Sequence, residues 1–172
     1  MPFFYCTTVS PIGVLTIIAN DSGLHSIVFP KDERLPGLDH YQHKDDHPLL
    51  RQARMQLEQY FTKQRREFDL PLTIHGTEFQ RTVWNALTTI PYGRTISYAE
   101  LAARIGHSRA VRAVGAANGR NPLPIVLPCH RVIGSDGSLT GFAGGLPTKQ
   151  YLLRLENALP EGAATLELAF PF

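Results

Sequence analysis

The 172-residue sequence is poor in cysteine and has no long apolar run. Its two cysteines, Cys6 and Cys129, lie far apart and cannot form a disulfide framework, so a reducing compartment is expected. No apolar segment approaches the roughly 20 residues that a membrane-spanning helix needs. The opening residues MPFFYCTTVSPIG also lack the basic start of a signal peptide. We therefore expect a cytoplasmic protein that does not insert into a membrane.

The sequence also lacks a recognisable metal-binding pattern. Its clustered histidines, His40, His43 and His47, lie in an acidic, turn-rich segment without a nearby cysteine or a regular ligand spacing. Structural zinc sites combine cysteine and histidine ligands at characteristic spacings. We interpret the cluster as a solvated loop and predict no metal.

The net charge of +2 is small, but the charges are unevenly distributed. Residues 74–158 carry nine Lys and Arg against four Asp and Glu, and eight of the nine are arginines. Residues 1–73 carry eight against nine. Arginine favours phosphate and base contacts, so the basic segment indicates a polyanionic partner. A chance asymmetry of a solvated surface explains the charges equally well at this point.

The first part of the chain predicts a small sheet with one helix. Three segments rich in β-branched and aromatic side chains are typical of strands, residues 3–9, 14–19 and 24–29. Residues 30–47 are polar and punctuated by proline and glycine, which indicates a loop. Residues 48–64 place apolar side chains on one helical stripe. We assign residues 1–73 to an N-terminal α/β domain, in which nothing indicates catalysis.

The second part of the chain predicts short helices. Thr77 is placed to cap a helix over TEFQRTVWNALTTI. Ser97 is placed to cap a second over SYAELAARIG, with Glu100 completing a capping box. Ser108 is placed to cap a third helix, over residues 108–118. Two short helices joined by a tight turn that contains glycine, the second rich in arginine, are typical of a helix-turn-helix.

The third predicted helix carries arginines on a face of small residues. Arg109 and Arg112 are three residues apart and would share this face. Small residues continue it, Ala113, Ala116 and Ala117. A helix that reads base edges in the major groove would carry longer polar side chains there, whereas small residues let the backbone approach a narrow groove. Tight packing against a neighbouring helix is the alternative interpretation.

The segment PIVLPCHRVIG places Cys129 beside His130 and Arg131 within an apolar stretch. A thiol is mostly protonated at neutral pH, so a nucleophilic cysteine needs a base or a positive field, which these neighbours offer. Adjacent residues of an extended strand point to opposite faces, so a turn or an intervening water is required. A carboxylate that orients the histidine is also expected. An inert cysteine of the core is the alternative.

This part of the sequence resembles the O6-alkylguanine-DNA alkyltransferases, which are the methylated-DNA–protein-cysteine methyltransferases. The resemblance rests on the motif PCHRV, with RAVGAANGRNPLPIVL before it and GFAGGLPTKQYLLRLE after it. The resemblance is strong from Thr77 to Glu156 and looser in the N-terminal part. It implies an α/β fold with an N-terminal RNase H-like sheet-and-helix domain and a C-terminal, mostly helical winged helix-turn-helix domain. The corresponding domains are residues 1–73 and 74–158, followed by a tail over residues 159–172.

The resemblance also implies how the reaction proceeds. Cys129 would accept the alkyl group from O6 of guanine in an irreversible, single-use transfer. His130 would act as general base through a water, and Glu156 would orient and stabilise that histidine. Asn121 would hold the turn between the DNA-binding helix and the cysteine. No cofactor is implied.

On the DNA side, the resemblance implies a monomer that acts on double-stranded DNA and flips the alkylated guanine out of the helix. Arg112 would fill the gap left by the flipped nucleotide, Tyr98 would crowd the phosphate, and Arg109 would add a DNA contact. The guanine pocket would be lined by Pro124, Val132, Phe142 and Ala143. O4-alkylthymine is a second candidate substrate.

The sequence departs from the family at two places. Phe142 stands where a tyrosine is frequent, so a hydroxyl contact to the purine is lost. Some members bind zinc in the N-terminal domain through two cysteines and two histidines. His25 matches one ligand, but Cys6 does not fall at a corresponding position and the other cysteine is absent. This comparison again predicts no metal.

Two other functions remain open on the sequence alone. A non-catalytic alkylguanine lesion sensor would lack a cysteine at the acceptor position, so Cys129 argues against it. A helix-turn-helix DNA-binding regulator with a buried cysteine would leave His130, Arg131 and Glu156 without a role. It would also favour polar, base-reading side chains on the third predicted helix.

Overall fold

The computed structural model describes residues 1–160, which form two compact units that divide between His75 and Gly76. The predicted tail over residues 159–172 lies outside the described residues from position 161 onward. The first unit is a sheet with a helix and the second is mostly helical, so the predicted α/β fold class is confirmed. Within residues 1–160, no helix is both long and apolar enough to cross a membrane.

The first unit is built on a four-stranded sheet in the order β3-β2-β1-β4. Strands β1 (Phe4–Ser10), β2 (Gly13–Ala19) and β3 (Leu24–Val28) are antiparallel neighbours, which confirms the three predicted strands. Strand β4 (Gln42–His43) pairs in parallel with β1 inside the segment predicted as a loop. Its two exposed polar residues carry no apolar alternation, so the sequence gives no strand signal there.

Helix α1 (Pro48–Phe61) packs against β1 and β2. A proline at its first position and the His47 cap, whose Nδ1 accepts from the Leu49 backbone N–H at 3.2 Å, set its start. The predicted apolar stripe is largely buried, at Leu50, Ala53, Leu57 and Tyr60. His47 Nε2 also lies 3.0 Å from Asp21 Oδ1, so this histidine holds the helix start rather than a metal.

The second unit is mostly helical and contains one short parallel strand pair. Its helices are α2 (Glu78–Leu87), α3 (Tyr98–Arg104), α4 (Val111–Gly119) and α5 (Leu146–Leu155), and its strands are β5 (Ile96–Ser97) and β6 (Val132–Ile133). Helices α3 and α4 pack together across a short connection, as the helix-turn-helix pattern predicts. The Trp84 indole N–H donates to the Ala117 carbonyl at 2.8 Å and ties α2 to α4.

The starts of α2 and α3 follow the prediction in most respects. Thr77 and Gln80 form a complete capping box at α2. Ser97 accepts from the Glu100 backbone N–H at 3.0 Å and caps α3. The Glu100 carboxylate, however, binds Arg104 one turn later at 3.1 Å. The capping box predicted at Ser97 is therefore only half formed.

The predicted Ser108 cap is wrong. Helix α4 begins only at Val111, because residues 107–110 form a tight turn of their own. Arg109 lies in this turn, so it does not share a helical face with Arg112.

The small-residue face of α4 is also shorter than predicted. Arg112, Ala113 and Ala116 are exposed, whereas Ala117 is buried and faces the interior of the unit. The surface offered for a close approach therefore consists of two alanines beside one arginine.

Candidate active site

Residues Cys129–Arg131 form a single turn of 3-10 helix at the end of an apolar segment. The turn follows Pro128, whose carbonyl accepts from the Arg131 backbone N–H at 3.0 Å. Cys129 is 4% exposed and His130 is fully buried. The backbone is therefore not extended here. The turn is one of the two arrangements, a turn or an intervening water, that would let the neighbouring Cys129 and His130 interact.

A buried carboxylate, Glu156, connects the histidine and the arginine of this turn. His130 Nε2 lies 2.6 Å from Glu156 Oε2. Arg131 donates to both carboxylate oxygens, from Nε at 2.7 Å and from Nη2 at 3.1 Å. Burial alone raises the pKa of Glu156, but the His130 ring and the Arg131 guanidinium outweigh it and hold that pKa far below its usual value. The carboxylate is therefore charged at neutral pH.

The environment of His130 favours a neutral imidazole. Burial lowers its pKa below the usual 6.5, although the charge of Glu156 acts in the opposite direction. An ionised carboxylate accepts from Nε2–H, so Nδ1 carries the free lone pair. Nδ1 is buried and has no hydrogen-bond partner within residues 1–160. One ring nitrogen is thus fixed by Glu156, and the other is able to accept a proton.

Lys149 is a fully buried lysine of α5 that the sequence analysis missed. Its ammonium donates to the carbonyls of Val132 at 2.6 Å and Thr140 at 2.9 Å, and lies 3.4 Å from the Tyr98 hydroxyl. Burial lowers the pKa of Lys149 to about 8, and the nearby Cys129 opposes this shift. The site therefore holds a cation that is only weakly stabilised by its surroundings.

Tyr98, the first residue of α3, directs its hydroxyl at the loop before α5. The hydroxyl donates to the Thr140 carbonyl at 3.0 Å. Burial raises the pKa of Tyr98, and the charge of Cys129 adds to this effect. Gly141, which follows Thr140 in the sequence, has a φ of 49°, a conformation that glycine adopts readily. The structure therefore brings the Tyr98 hydroxyl close to the Thr140 carbonyl and to Lys149.

Two buried asparagines connect α4 to the cysteine turn. Asn121 donates to the Leu127 carbonyl at 2.7 Å and accepts from the Leu123 backbone N–H at 2.9 Å, so it bridges the segment between the helix and the turn. Asn118, which the sequence analysis did not single out, donates from Nδ2 to the Cys129 carbonyl at 3.3 Å. Asn118 thus couples the cysteine turn directly to α4, and Asn121 holds the segment that connects them.

The four predicted pocket residues differ in exposure. Pro124 and Val132 are buried, on either side of the cysteine turn in sequence. Phe142 and Ala143 belong to the loop over residues 134–145, where Phe142 is partly buried and Ala143 is exposed.

The predicted DNA contacts lie on the surface of the second unit. Arg112 is exposed in the first turn of α4, and Arg109 is exposed in the preceding turn. Arg120, exposed at the end of the helix, adds a third positive charge. Residues 101–135 contain no aspartate or glutamate, so this part of the chain carries charge of one sign only.

The first unit offers no fitting metal site. Within residues 1–160, no group of three or more histidine, cysteine, aspartate or glutamate side chains could hold a metal ion. The rings of His25 and His75 are 5.3 Å apart, with Phe3 4.8 Å from His25. Cys6 is fully buried in β1, where burial raises the pKa of its thiol to about 11. These residues do not fit a site of two cysteines and two histidines, and no step is assigned to a metal.

Comparison with known proteins assigns a counterpart to each unit. The ribonuclease-like domain of 6-O-methylguanine DNA methyltransferase matches residues 3–74, and the DNA binding domain of the same family matches residues 78–158. A methylated-DNA–protein-cysteine methyltransferase of Methanosarcina barkeri is 48% identical over 157 residues, which cover 90% of this chain and 97% of the relative. The constitutive methylated-DNA–protein-cysteine methyltransferase of Bacillus subtilis is 43% identical and covers 90% of this chain and 95% of its own.

Solved structures agree with these matches. The crystal structure of Mycobacterium tuberculosis O6-methylguanine methyltransferase superposes with a TM-score of 0.83 at 44% identity, and covers 93% of this chain and 96% of its own. The Mycobacterium tuberculosis protein in complex with DNA gives the same TM-score and identity, and covers 92% of this chain and 96% of its own.

Proposed function

The chain belongs to the 6-O-methylguanine DNA methyltransferase family and repairs DNA by alkyl transfer to a cysteine, and we propose that this cysteine is Cys129. The observation that carries the proposal is the buried pair of His130 and Glu156, whose Nε2 and Oε2 atoms lie 2.6 Å apart. His130 directly follows Cys129 in the sequence. A histidine oriented by a carboxylate is the usual means of activating a nucleophile. The substrate is O6-alkylguanine in double-stranded DNA, with O4-alkylthymine as a second candidate.

The environments of the two cysteines support the choice of Cys129. Cys6 lies in the middle of β1, and burial raises the pKa of its thiol to about 11, which disfavours a nucleophilic thiolate at neutral pH. Cys129 lies in the 3-10 turn next to His130 and in the electrostatic reach of Lys149. A positive field and a nearby base favour a thiolate.

The proton of the thiol is passed on to His130. A water between the Cys129 sulfur and His130 Nδ1 carries it, because Nδ1 is the ring nitrogen with the free lone pair. Glu156 holds the Nε2–H and balances the imidazolium charge that forms. Arg131 binds both oxygens of the carboxylate and fixes its orientation.

The transfer itself is a single displacement. The Cys129 sulfur attacks the alkyl carbon, a carbon–sulfur bond forms, and the carbon–O6 bond breaks with its electron pair moving to the guanine. The leaving base needs a proton, and the Tyr98 hydroxyl with Lys149 behind it at 3.4 Å is placed to supply one. The thioether has no route back to a thiol within this site, so each molecule acts once and needs no cofactor.

The DNA is held by the second unit, residues 74–158 in the division predicted from the sequence. Arg112 enters the base stack from α4 and fills the gap left by the flipped nucleotide, and Arg109 in the turn before α4 contacts phosphate. The N-terminal unit, residues 1–73, takes no part in the chemistry. The protein acts as a monomer in the cytoplasm, a compartment that keeps its two buried cysteines reduced.

The alkyl acceptor is identified by peptide mass. After incubation with DNA that carries one O6-methylguanine, the peptide that contains Cys129 should gain one methyl group, and the Cys6 peptide should be unchanged. A methyl group on any other residue, or on none, would overturn the proposal.

Replacing Arg112 by alanine separates base flipping from chemistry. Flipping costs a few kcal/mol, part of which the inserted side chain offsets, so repair of duplex DNA should slow by roughly 10- to 100-fold. Free O6-benzylguanine needs no flipping and uses the same thiol, so its reaction should be nearly unchanged. Single-turnover rates on the two substrates measure the difference.

Arg109→Ala is the matched control for this experiment. It also removes one positive charge, from the turn before α4. It should weaken binding to any DNA sequence and reduce the salt dependence of DNA binding. Equal losses on duplex and free base for Arg112→Ala would show that this arginine supports the fold or the pocket instead.

A further inference from the structure

Arg131 is a buried arginine whose guanidinium is held from several sides. It is 6% exposed, and its Nη1 donates to the Ile90 carbonyl at 2.7 Å. Its Nε and Nη2 bind the two oxygens of Glu156, at 2.7 Å and 3.1 Å, and its Cζ lies 5.7 Å from the centre of the Tyr92 ring. Two parallel hydrogen bonds to one carboxylate fix both groups geometrically. The positive charge of Arg131 is therefore held at the carboxylate.

The charges of this buried cluster balance only if the imidazole is neutral. The side chains of His130 and Glu156 are fully buried, and charges removed from water are costly unless an opposite charge compensates them. With a neutral His130, the guanidinium of Arg131 and the carboxylate of Glu156 cancel. A proton on the ring would leave one buried positive charge uncompensated.

Without the guanidinium, the balance would be reversed. A neutral imidazole beside the Glu156 carboxylate would leave one buried negative charge, and a proton on the ring would cancel it. The contact of 2.6 Å between His130 Nε2 and Glu156 Oε2 would then be a buried ion pair, and Nδ1 would already carry a proton. A ring in that state has no lone pair to accept the proton of the thiol.

The other charged groups near His130 do not replace Arg131. The cysteine turn packs against α2 and α5. Burial is the largest cause that lowers the pKa of His130, Glu156 raises this pKa, and Arg131 and Lys149 of α5 lower it. The Lys149 ammonium is engaged with two backbone carbonyls, so Arg131 is the cation that binds the carboxylate itself. The remaining charged residues of these two helices are exposed, Glu78, Arg81 and Arg154.

We propose that Arg131 is a positioning residue that balances the charge of Glu156 and so keeps His130 neutral until the thiol gives up its proton. The carboxylate alone would orient the ring but would also hold a proton on it. With Arg131 bound to both oxygens, the carboxylate keeps its orienting contact and Nδ1 remains an acceptor. The inference rests on the proposed function, to which it adds the group that sets the protonation state of the base at rest.

The test measures the pH at which His130 is half protonated, from the NMR signals of its imidazole nitrogens. The measurement uses Cys129→Ala proteins, because a thiol that titrates beside the ring would couple to it. With Arg131 in place, the ring should be neutral at neutral pH. Arg131→Gln removes the charge and keeps a hydrogen-bonding side chain. It should raise the half-protonation pH by roughly 1 to 3 units, the usual effect of one adjacent charge.

Three further variants separate the charge of Arg131 from its contribution to the fold. Arg131→Lys keeps the charge, so the half-protonation pH should stay close to that with arginine. Combining Arg131→Gln with Glu156→Gln should lower this pH again, because the carboxylate that needs compensation is gone. Arg104→Gln removes a positive charge from the surface of α3, where Arg104 binds Glu100, and should leave the titration unchanged.

The outcomes distinguish this inference from the proposed function. A protein with Cys129 and Arg131 intact that gains no alkyl group on Cys129 contradicts the proposed function, whatever the state of the ring. Alkylation of Cys129 with an unchanged half-protonation pH in Arg131→Gln, or with an equal rise in Arg131→Lys, overturns only the role of Arg131. The same holds for a protonated ring at neutral pH while Arg131 is present, a result that does not depend on whether the variants fold.

Discussion

Replacing Cys129 by alanine should abolish alkyl transfer from both methylated DNA and free O6-benzylguanine. In the proposed reaction the thiol forms the new bond and no other group can substitute for it. Binding to DNA is proposed to depend on the arginines of the second unit, so it should be retained. Transfer is measured as loss of labelled alkyl groups from the substrate, and binding as a gel shift in the same buffer.

Cys6→Ala is the matched control, since it removes the other thiol of the chain. This variant should transfer alkyl groups at the wild-type rate, provided that its β1 strand tolerates the smaller side chain. Residual transfer by Cys129→Ala, or its loss in a folded Cys6→Ala protein, would contradict the assignment of the acceptor.

Replacing Glu156 by glutamine should slow transfer by roughly 10²- to 10⁴-fold, the usual contribution of a general base. Glutamine keeps the shape of the side chain but removes the charge that raises the basicity of His130. His130 then accepts the thiol proton less readily, so the reaction should require a higher pH. Rates with free O6-benzylguanine over a range of pH measure the effect without involving DNA.

Glu100→Gln offers the same chemical change away from the site. Its carboxylate lies on the surface of α3 and binds Arg104, so the rate and the pH profile should not change. An identical pH–rate profile for Glu156→Gln and the wild-type protein would show that this carboxylate does not act through the histidine.

The same carboxylate makes the fold sensitive to acid. The pKa of Glu156 is lowered in the folded protein, so the unfolded chain takes up a proton first as the pH falls below its ordinary value of 4.5. The stabilisation is therefore present above that pH and is lost below it. This acid-sensitive component of the unfolding free energy should be missing in Glu156→Gln.

Much of the site was predictable because local chemistry dominates there. The pattern PCHRV places Cys129 beside His130 and leads to the expectation of an orienting carboxylate, and the family resemblance then predicts Glu156 for that role. The same holds for Thr77, whose hydroxyl caps α2 as its position before an apolar stripe indicates.

The missed residues depend on packing between segments far apart in sequence. Lys149 is buried because the Val132 and Thr140 carbonyls surround its ammonium, and neither lies near it on the helix. The only local indication that Lys149 faces the interior was its spacing of seven residues from Glu156, which places both residues on one side of the helix. Asn118 was missed because a polar residue near a helix end is ordinarily exposed.

The wrong helix start at Ser108 has a different cause. Serine is a favoured N-cap, but it is also favoured in turns, and the turn over residues 107–110 prevails here. Because α4 starts later, Arg109 lies in the turn and Arg112 in the helix, so the two arginines occupy different structural elements.

The most direct test of the account is to count methyl groups with DNA in excess. The protein is incubated to completion with an excess of duplex that carries O6-methylguanine, and the methyl groups lost from DNA are compared with those found on the Cys129 peptide. We expect one methyl group to be lost from DNA per protein molecule and to be recovered on Cys129. Continued loss of methyl groups beyond this equivalence, or an unmodified Cys129, would contradict it.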